Sequence, residues 1–342
     1  MSDLHPDGDE LPAWEQARLT PKMIGGISAT FSSTVRSLLV SAGEDLLCKR
    51  EKISPTALVM VRQLLKSPSV LVHLWYAAKS FYPEQIAERG KVTPEGLLEI
   101  FSIYELASLL TISYVNRKLV NALPESDWAP IAKSLQIYTD LSIPLGQVIP
   151  AVGPTRALLT SSARWLGWGA MTIQNPAAMK KYRVGLKVKK KYCDLPEELA
   201  LLNTTHLHIA CSLFTTFGFP TSITSALFQG LGGRIESLKE DEQRFRVASQ
   251  WLDSLVVDNT APEAGLGDQY LLAESQEERF LKKVESVLND GSPFAWLSKR
   301  RTDLSPDLTP ELDVDHEVLK KSHQRPRNPF ATDQEEEDEE ES

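Results

Sequence analysis

The sequence predicts an all-α protein of many helices, and three observations carry that prediction. Apolar residues recur at helical spacing from about Lys22 to Gly233. Prolines punctuate the stripes, at Pro68, Pro83, Pro94, Pro124, Pro144, Pro150, Pro154 and Pro176. No convincing run of polar and apolar alternation marks a strand.

Taken in order, Ala57, Leu58, Val61, Leu64 and Leu65 form one helical face, and Val70, Leu71, Leu74, Ala77, Ala78 and Phe81 form the next. Further on, Ile209, Ala210, Leu213, Phe214 and Phe217 make a stripe that includes His206. Asn203, Thr204 or Thr205 can cap its start, and Gly218 and Pro220 suit its end. Ile223, Ala226, Leu227 and Leu231 follow until Gly230, Gly232 and Gly233. A later set comprises Phe245, Ala248, Leu252, Leu255 and Val256, then Phe280, Leu281, Val284, Val287 and Leu288, with Glu278 and Lys282 paired at i, i+4. The Gly- and Pro-bearing stretch from Asn259 to Asp268 reads as a loop. Beyond about Thr302, prolines and dense charge predict a flexible tail.

With 342 residues and 42% hydrophobic content, the chain can bury at least one sizeable core. Its net charge of −9 is concentrated: eight acidic residues crowd the segment from Asp333 to Glu341, and without them the chain is nearly neutral. The beginning carries Asp3, Asp7, Asp9, Glu10 and Glu15 and no basic segment leading into an apolar run, so no secretory leader is expected. The longest apolar-leaning stretch, from Leu97 to Val115, contains Glu99 and Glu105 and makes a poor membrane span. The expectation is a soluble, cytoplasmic protein with no membrane partner. Cys48, Cys193 and Cys211 lack metal-type spacing and read as reduced thiols.

The order Glu198, then Asn203-Thr204-Thr205-His206, Ile209-Ala210-Cys211, Leu213-Phe214 and Phe217-Gly218-Phe219-Pro220 resembles a characteristic block of the HDOD domain family. Asn203 and Ala210 stand where that family tends to have Gly, and Phe217 where it often has Trp. Upstream, Ala77-Ala78-Lys79-Ser80-Phe81-Tyr82 resembles the family's alanine-rich helix ending in a Ser and an aromatic pair, with Lys79 in place of the usual Asn. The resemblance covers roughly residues 25–235. Its family-like positions are Ser80, Tyr82, Glu198, His206, Phe217 and Pro220. It implies a multi-helix HDOD-like bundle with additional C-terminal helices, of the kind that serves bacterial signal transduction without catalysis. The expected organisation is a flexible acidic N-terminus at 1–21, the HDOD-like domain at 22–235, a helical segment at 236–300 and a disordered acidic tail at 301–342.

HDOD domains are relatives of HD-type phosphohydrolases, whose histidines and His-Asp pair hold metal ions that activate water. The sequence has no His-Asp dipeptide. Ala163-Arg164-Trp165-Leu166-Gly167-Trp168-Gly169, which stands where those enzymes would carry the pair, has no metal ligand. His206 reads as a neutral core histidine bonded to a neighbour such as Glu198, and His208, on the polar face with Ser212 and Thr215, as solvent-exposed or at a contact surface. No Walker loop, dinucleotide fingerprint, nucleophile elbow or redox Cys pair is present. No catalytic residue, metal site or cofactor is therefore expected.

Lys180, Lys181, Arg183, Lys187, Lys189, Lys190 and Lys191 place seven positive charges in twelve residues, interleaved with Tyr182 and Tyr192. This run reads first as a solvated surface, then as a contact for a protein, expected to be another signalling protein, or for an acidic ligand, then as a nucleic-acid surface. The acidic tail, tethered to the same chain, is a possible intramolecular partner for it. Asp313-Val314-Asp315-His316-Glu317 carries ligand-type side chains in a segment not expected to hold a fixed geometry, and Lys320, Lys321, His323, Arg325 and Arg327 precede the acidic end. The function expected is a non-enzymatic regulatory or scaffold protein. The alternatives are a diverged HD-type phosphohydrolase or nucleotide-binding protein, and a nucleic-acid-associated protein.

Overall fold

The computed structural model describes residues 11–42, 53–262, 274–292 and 294–321. The α-helices among them are α1 (Leu11–Arg18), α2 (Thr20–Met23), α3 (Ala29–Ser41), α4 (Pro55–Leu65), α5 (Pro68–Phe81), α6 (Pro83–Arg89), α7 (Pro94–Leu98), α8 (Ile103–Ala122), α9 (Glu125–Val148), α10 (Gly153–Gln174), α11 (Pro176–Lys189), α12 (Leu195–Leu202), α13 (His206–Phe217), α14 (Thr221–Gly232), α15 (Glu240–Asp253), α16 (Glu274–Asp290) and α17 (His316–Lys321). The described residues contain no strand, and their one β-type pairing is an isolated parallel bridge between Val92 and Leu312. The all-α expectation holds. None of these helices is long and apolar enough to cross a membrane.

Helix starts explain the segmentation. Ser28, Ser54, Thr93, Ser102, Asn175, Asp194 and Thr205 each accept a hydrogen bond from a first-turn backbone N–H. Proline stands in the first turn of α4, α5, α6, α7, α10, α11 and α12, where a missing N–H leaves no bond unmade. α9 corrects the sequence reading, because Pro144 does not separate two elements; it lies inside the helix, as does Pro130. Residue 144 has no N–H to give the Asp140 carbonyl, and the helix persists because Leu141, Ile143 and Leu145 are sealed in the core. Two residues on, a Cβ at Gly146 would lie 2.4 Å from backbone atoms of Gly153 and Pro154, so the turn into α10 requires glycine there.

α10 is the hub, packed against α8, α9, α11, α13 and α15. The main core runs from α1 through α14 and takes in Phe245, Trp296, Leu304 and Leu312. A second apolar cluster joins Tyr138, Leu141, Leu145, Val148 and Ala157 of the α9–α10 region to Val247, Ala248 and Leu252 of α15 and to Phe280, Val284 and Val287 of α16. Within the segment 236–300, α15 and α16 thus pack onto helices of the preceding segment. Leu281, expected on the buried face of α16, is instead turned outward.

Both expected flexible ends are corrected in part. Within 1–21, residues 11–21 form α1 and the start of α2, with Ala13, Ala17 and Thr20 buried and the Trp14 ring against His208 and Phe228. Within 301–342, residues 301–321 return to the body. Leu304, Thr309 and Leu312 are buried, the Val92 N–H donates to the Glu311 carbonyl at 2.8 Å, and the Asp313 N–H donates to the Val92 carbonyl at 2.9 Å. The same strap covers α5. His73 Nε2 meets the Lys299 carbonyl, the Tyr76 hydroxyl donates to the Asp303 carbonyl, and Lys79 pairs with Glu311 at 3.3 Å. The Asp313–Glu317 stretch, expected to lack fixed geometry, is held here, with His316 Nδ1 against the Leu304 carbonyl. The acidic segment 333–341, the basic residues from His323 onward, Cys48 and most of the 259–268 loop lie outside the described residues.

Candidate functional site

The Glu198–His206 pair predicted from sequence is present, and it is the centre of a larger node. Glu198 is carried by α12 and fully buried. Its carboxylate accepts from Trp168 Nε1 of α10 at 2.8 Å, the Tyr182 hydroxyl of α11 at 2.8 Å, the His206 backbone N–H at 2.8 Å and His206 Nδ1 at 2.9 Å. The His206 N–H opens α13, where first-turn donors have no partner within the helix, so a carboxylate there meets both a free donor and the positive end of the helix dipole. Burial opposes charge on Glu198, but the adjoining His206 and the converging donors outweigh it and hold the carboxyl below its ordinary range.

Backbone details make the node possible. Asn203 ends α12 in the left-handed conformation, φ 56°, which Asn tolerates better than most residues; a glycine-like position is thus filled without breaking the turn. Thr205 caps α13, and Gly218 closes it at φ 95°. A Cβ on Gly167 would lie 2.6 Å from the His206 carbonyl oxygen, so α10 approaches α13 only because residue 167 has no side chain. The Ala163–Gly169 segment is consequently a packed stretch of helix.

His208 corrects the sequence reading. It is buried, with Nδ1 against the Thr205 hydroxyl at 2.7 Å and its ring between Trp14 and Phe228. Burial lowers its pKa to about 4 and keeps the imidazole neutral. His73, between α5 and the strap, is lowered to about 4 for the same reason.

The other family-like positions serve packing elsewhere. Phe217 is fully buried against Phe31 and Tyr114, and Pro220 precedes α14. Ser80 is buried, and its carbonyl accepts from Lys283. The Tyr82 hydroxyl donates to Glu105 at 2.9 Å.

Beside the node lies a cavity of about 390 Å³, lined by residues of α9, α10, α13, α14 and α15 and by the turn from Lys190 to Cys193. Its polar wall has two parts. Arg164 forms a two-pronged ion pair with Asp253 at 2.7 and 2.8 Å, and the Tyr138 hydroxyl donates to the same carboxylate at 2.8 Å. Burial works against the Arg164 charge, but Asp253 overcomes it and holds the guanidinium protonated. Arg246, in contrast, has no carboxylate partner among the described residues. Its Nε and Nη2 donate to the carbonyls of Gly230 and Gly233 at the end of α14. Burial lowers its pKa, as expected of a cation without a counter-ion.

The structure resolves the basic run into two parts. Lys180, Lys181 and Lys187 are exposed on α11, Arg183 is half-buried, and Val184 and Val188 are exposed beside them. Lys189 pairs with Glu197 at 2.7 Å, and Lys191 with Asp194 at 2.8 Å, so part of the apparent excess charge is neutralised locally. Lys190 and Lys191, with Tyr192 and Cys193, line the cavity. Lys190 occupies the left-handed position after α11, φ 52°.

Sequence reasoning missed Arg164, Arg246, Asp253 and Tyr138. One signal was available: Arg246, Ser249 and Asp253 recur at i, i+3 and i+7, one step round from the apolar stripe of Phe245, Ala248 and Leu252. Among the described residues, no group of three or more His, Cys, Asp or Glu side chains is placed to hold a metal ion.

No family model matches the sequence, and no curated protein matches it. Among solved structures, a protein of Shewanella amazonensis SB2B named "Putative phosphohydrolase" is similar over 90% of this chain and 94% of its own, at 13% identity and a TM-score of 0.47.

Proposed function

We propose that this chain is a non-enzymatic regulatory or scaffold protein of bacterial signal transduction, built on an HDOD-like domain. The observation that carries the reading is the use made of His206. Its Nδ1 is committed to a buried carboxylate that also takes Trp168 and Tyr182, so the family-like acidic and histidine positions act as an internal tie between α10, α11, α12 and α13. Catalytic water activation would need further ligands converging on that imidazole. The His206 ring stands edge-on to Trp168 at 6.2 Å between centroids, and the His206 backbone packs against Gly167 of α10.

On this reading the partner is another signalling protein, and the exposed face of α11, with Lys180, Lys181 and Lys187 around Val184 and Val188, is the contact surface. The test is an affinity pull-down of the full chain from its native lysate, split into nuclease-treated and untreated halves, alongside metal analysis and a phosphatase screen of the purified protein. A discrete protein partner that survives nuclease and is lost on reversing the charges at Lys180, Lys181 and Lys187 supports the reading. Stoichiometric metal with phosphate release would overturn it, and partners lost on nuclease treatment would transfer it to nucleic acid.

A further inference from the structure

We infer that the cavity between α10, α14 and α15 is a binding site for a small organic oxyanion with an apolar body, a phosphate ester or a carboxylate. This goes beyond the scaffold reading and stands independently of it.

Charge is the first argument. Four cationic side chains, Arg164, Lys190, Lys191 and Arg246, line the cavity against one carboxylate, Asp253. Asp253 is fully used, accepting from both terminal nitrogens of Arg164 and from Tyr138, so it neutralises Arg164 and nothing else. Lys191 has Asp194 as a partner outside the lining. Lys190 and Arg246 have no carboxylate partner among the described residues, and of the two Arg246 is held in place. It is anchored by two carbonyls, which fix its plane without cancelling its charge, and its remaining terminal nitrogen, Nη1, makes no hydrogen bond among the described residues. A fixed guanidinium with a free edge matches an oxyanion geometrically, and it loses little side-chain entropy when the anion binds.

The second argument is the make-up of the rest of the wall. Tyr138, Thr160, Ser161, Ser249 and Gln250 place neutral polar side chains beside the cations. Apolar surface completes the site: Trp165, Leu231 and Leu252 share the lining. The volume of about 390 Å³ falls within the range of small-molecule sites.

The experiment is calorimetric titration of the full-length protein with phenyl phosphate, benzoate and the neutral benzyl alcohol, at low and at physiological ionic strength. One anion should bind saturably, at least about tenfold more tightly than the alcohol, and which of the two binds better assigns the phosphate or the carboxylate class. Arg246→Gln should weaken that binding by about tenfold or more. Because Arg246 also anchors the end of α14, Lys190→Asn provides a second variant: it removes a rim charge at a left-handed position that Asn accepts, and should weaken binding by a few fold, most clearly at low salt. Absence of saturable binding by either anion at millimolar concentration would overturn the inference. So would anion affinity left unchanged by Lys190→Asn in a protein with wild-type thermal unfolding.

Discussion

Glu198 and Asp140 are both sealed from solvent in this molecule, yet their surroundings treat them oppositely. Four donor groups from three helices converge on Glu198, and the carboxyl is held below its ordinary range. Asp140 sits in the proline-interrupted part of α9. The Gln136 amide donates to its Oδ2 at 2.6 Å, while Oδ1 has no partner. Burial pushes its pKa from the ordinary 3.8 up to about 7; Ser292, Gln136, Lys283 and Trp296 offset only part of that. The difference teaches that depth does not decide whether a buried acid stays charged. The histidine set against Glu198, together with donors on both of its oxygens, does.

The largest test of the contrast is Glu198→Gln. An amide can accept at one oxygen but turns an NH2 toward donors, so the node loses bonds to Trp168, Tyr182 or His206. A loss of about 3–5 kcal/mol in urea unfolding is expected. A loss within experimental error would break the comparison.

Asp140→Asn should act in the opposite direction. The folded protein binds the Asp140 proton more tightly than the unfolded chain, so this group's contribution to stability falls as pH rises from about 4 to about 7 and stays lost above that. At pH 8 the substitution should therefore stabilise, on the order of a few kcal/mol. His73 and His208, both lowered to about 4, contribute the opposite slope between about pH 4 and their ordinary value of 6.5: stability rises with pH there. Removing Asp140 should expose that slope, making the variant more acid-sensitive than the parent over the same window. Thermal unfolding across pH 4–8 measures both effects.

A smaller effect is expected of Gly167→Ala. The added methyl would press on the His206 backbone and spread α10 from α13, at a cost of about 1–3 kcal/mol. Because the damage passes through the node, combining it with Glu198→Gln should cost less than the sum of the two, which a double-mutant cycle reads directly.

The sequence made visible what local chemistry encodes. The α13 stripe, its Thr205 cap and its Gly218 end fall within one span of fourteen residues, and the His206 to Glu198 pairing follows from a histidine on an apolar face needing a partner. What stayed hidden depended on distant packing. His208 looks like a surface residue until Trp14, almost two hundred positions away, is laid against it. The strap after Arg300 looks solvent-borne because its buried residues, Leu304, Thr309 and Leu312, are too few and too widely spaced to form a periodic stripe. Pro144 looks like a terminus because the cost of keeping it inside α9 is offset by core contacts that no local window contains. The cavity was read only at its rim, in Lys190 and Lys191; the spacing of Arg246, Ser249 and Asp253 hinted at a polar face, but Arg164 meets it only after α10 and α15 have packed.

The pairing of Val92 with the strap near Leu312 sets the order in which this molecule can be finished. A nascent chain that has emerged only through α15 already contains the Glu198 node and the cavity wall, but α5 is still bare along the side that carries His73, Tyr76 and Lys79. Closing that side joins residues more than two hundred positions apart, a slow search by comparison with helix formation. Synthesis therefore leaves that flank exposed until residues 296–312 arrive, and premature termination before Leu312 would yield a chain whose helices are formed but whose surface invites capture by chaperones or by other copies of itself.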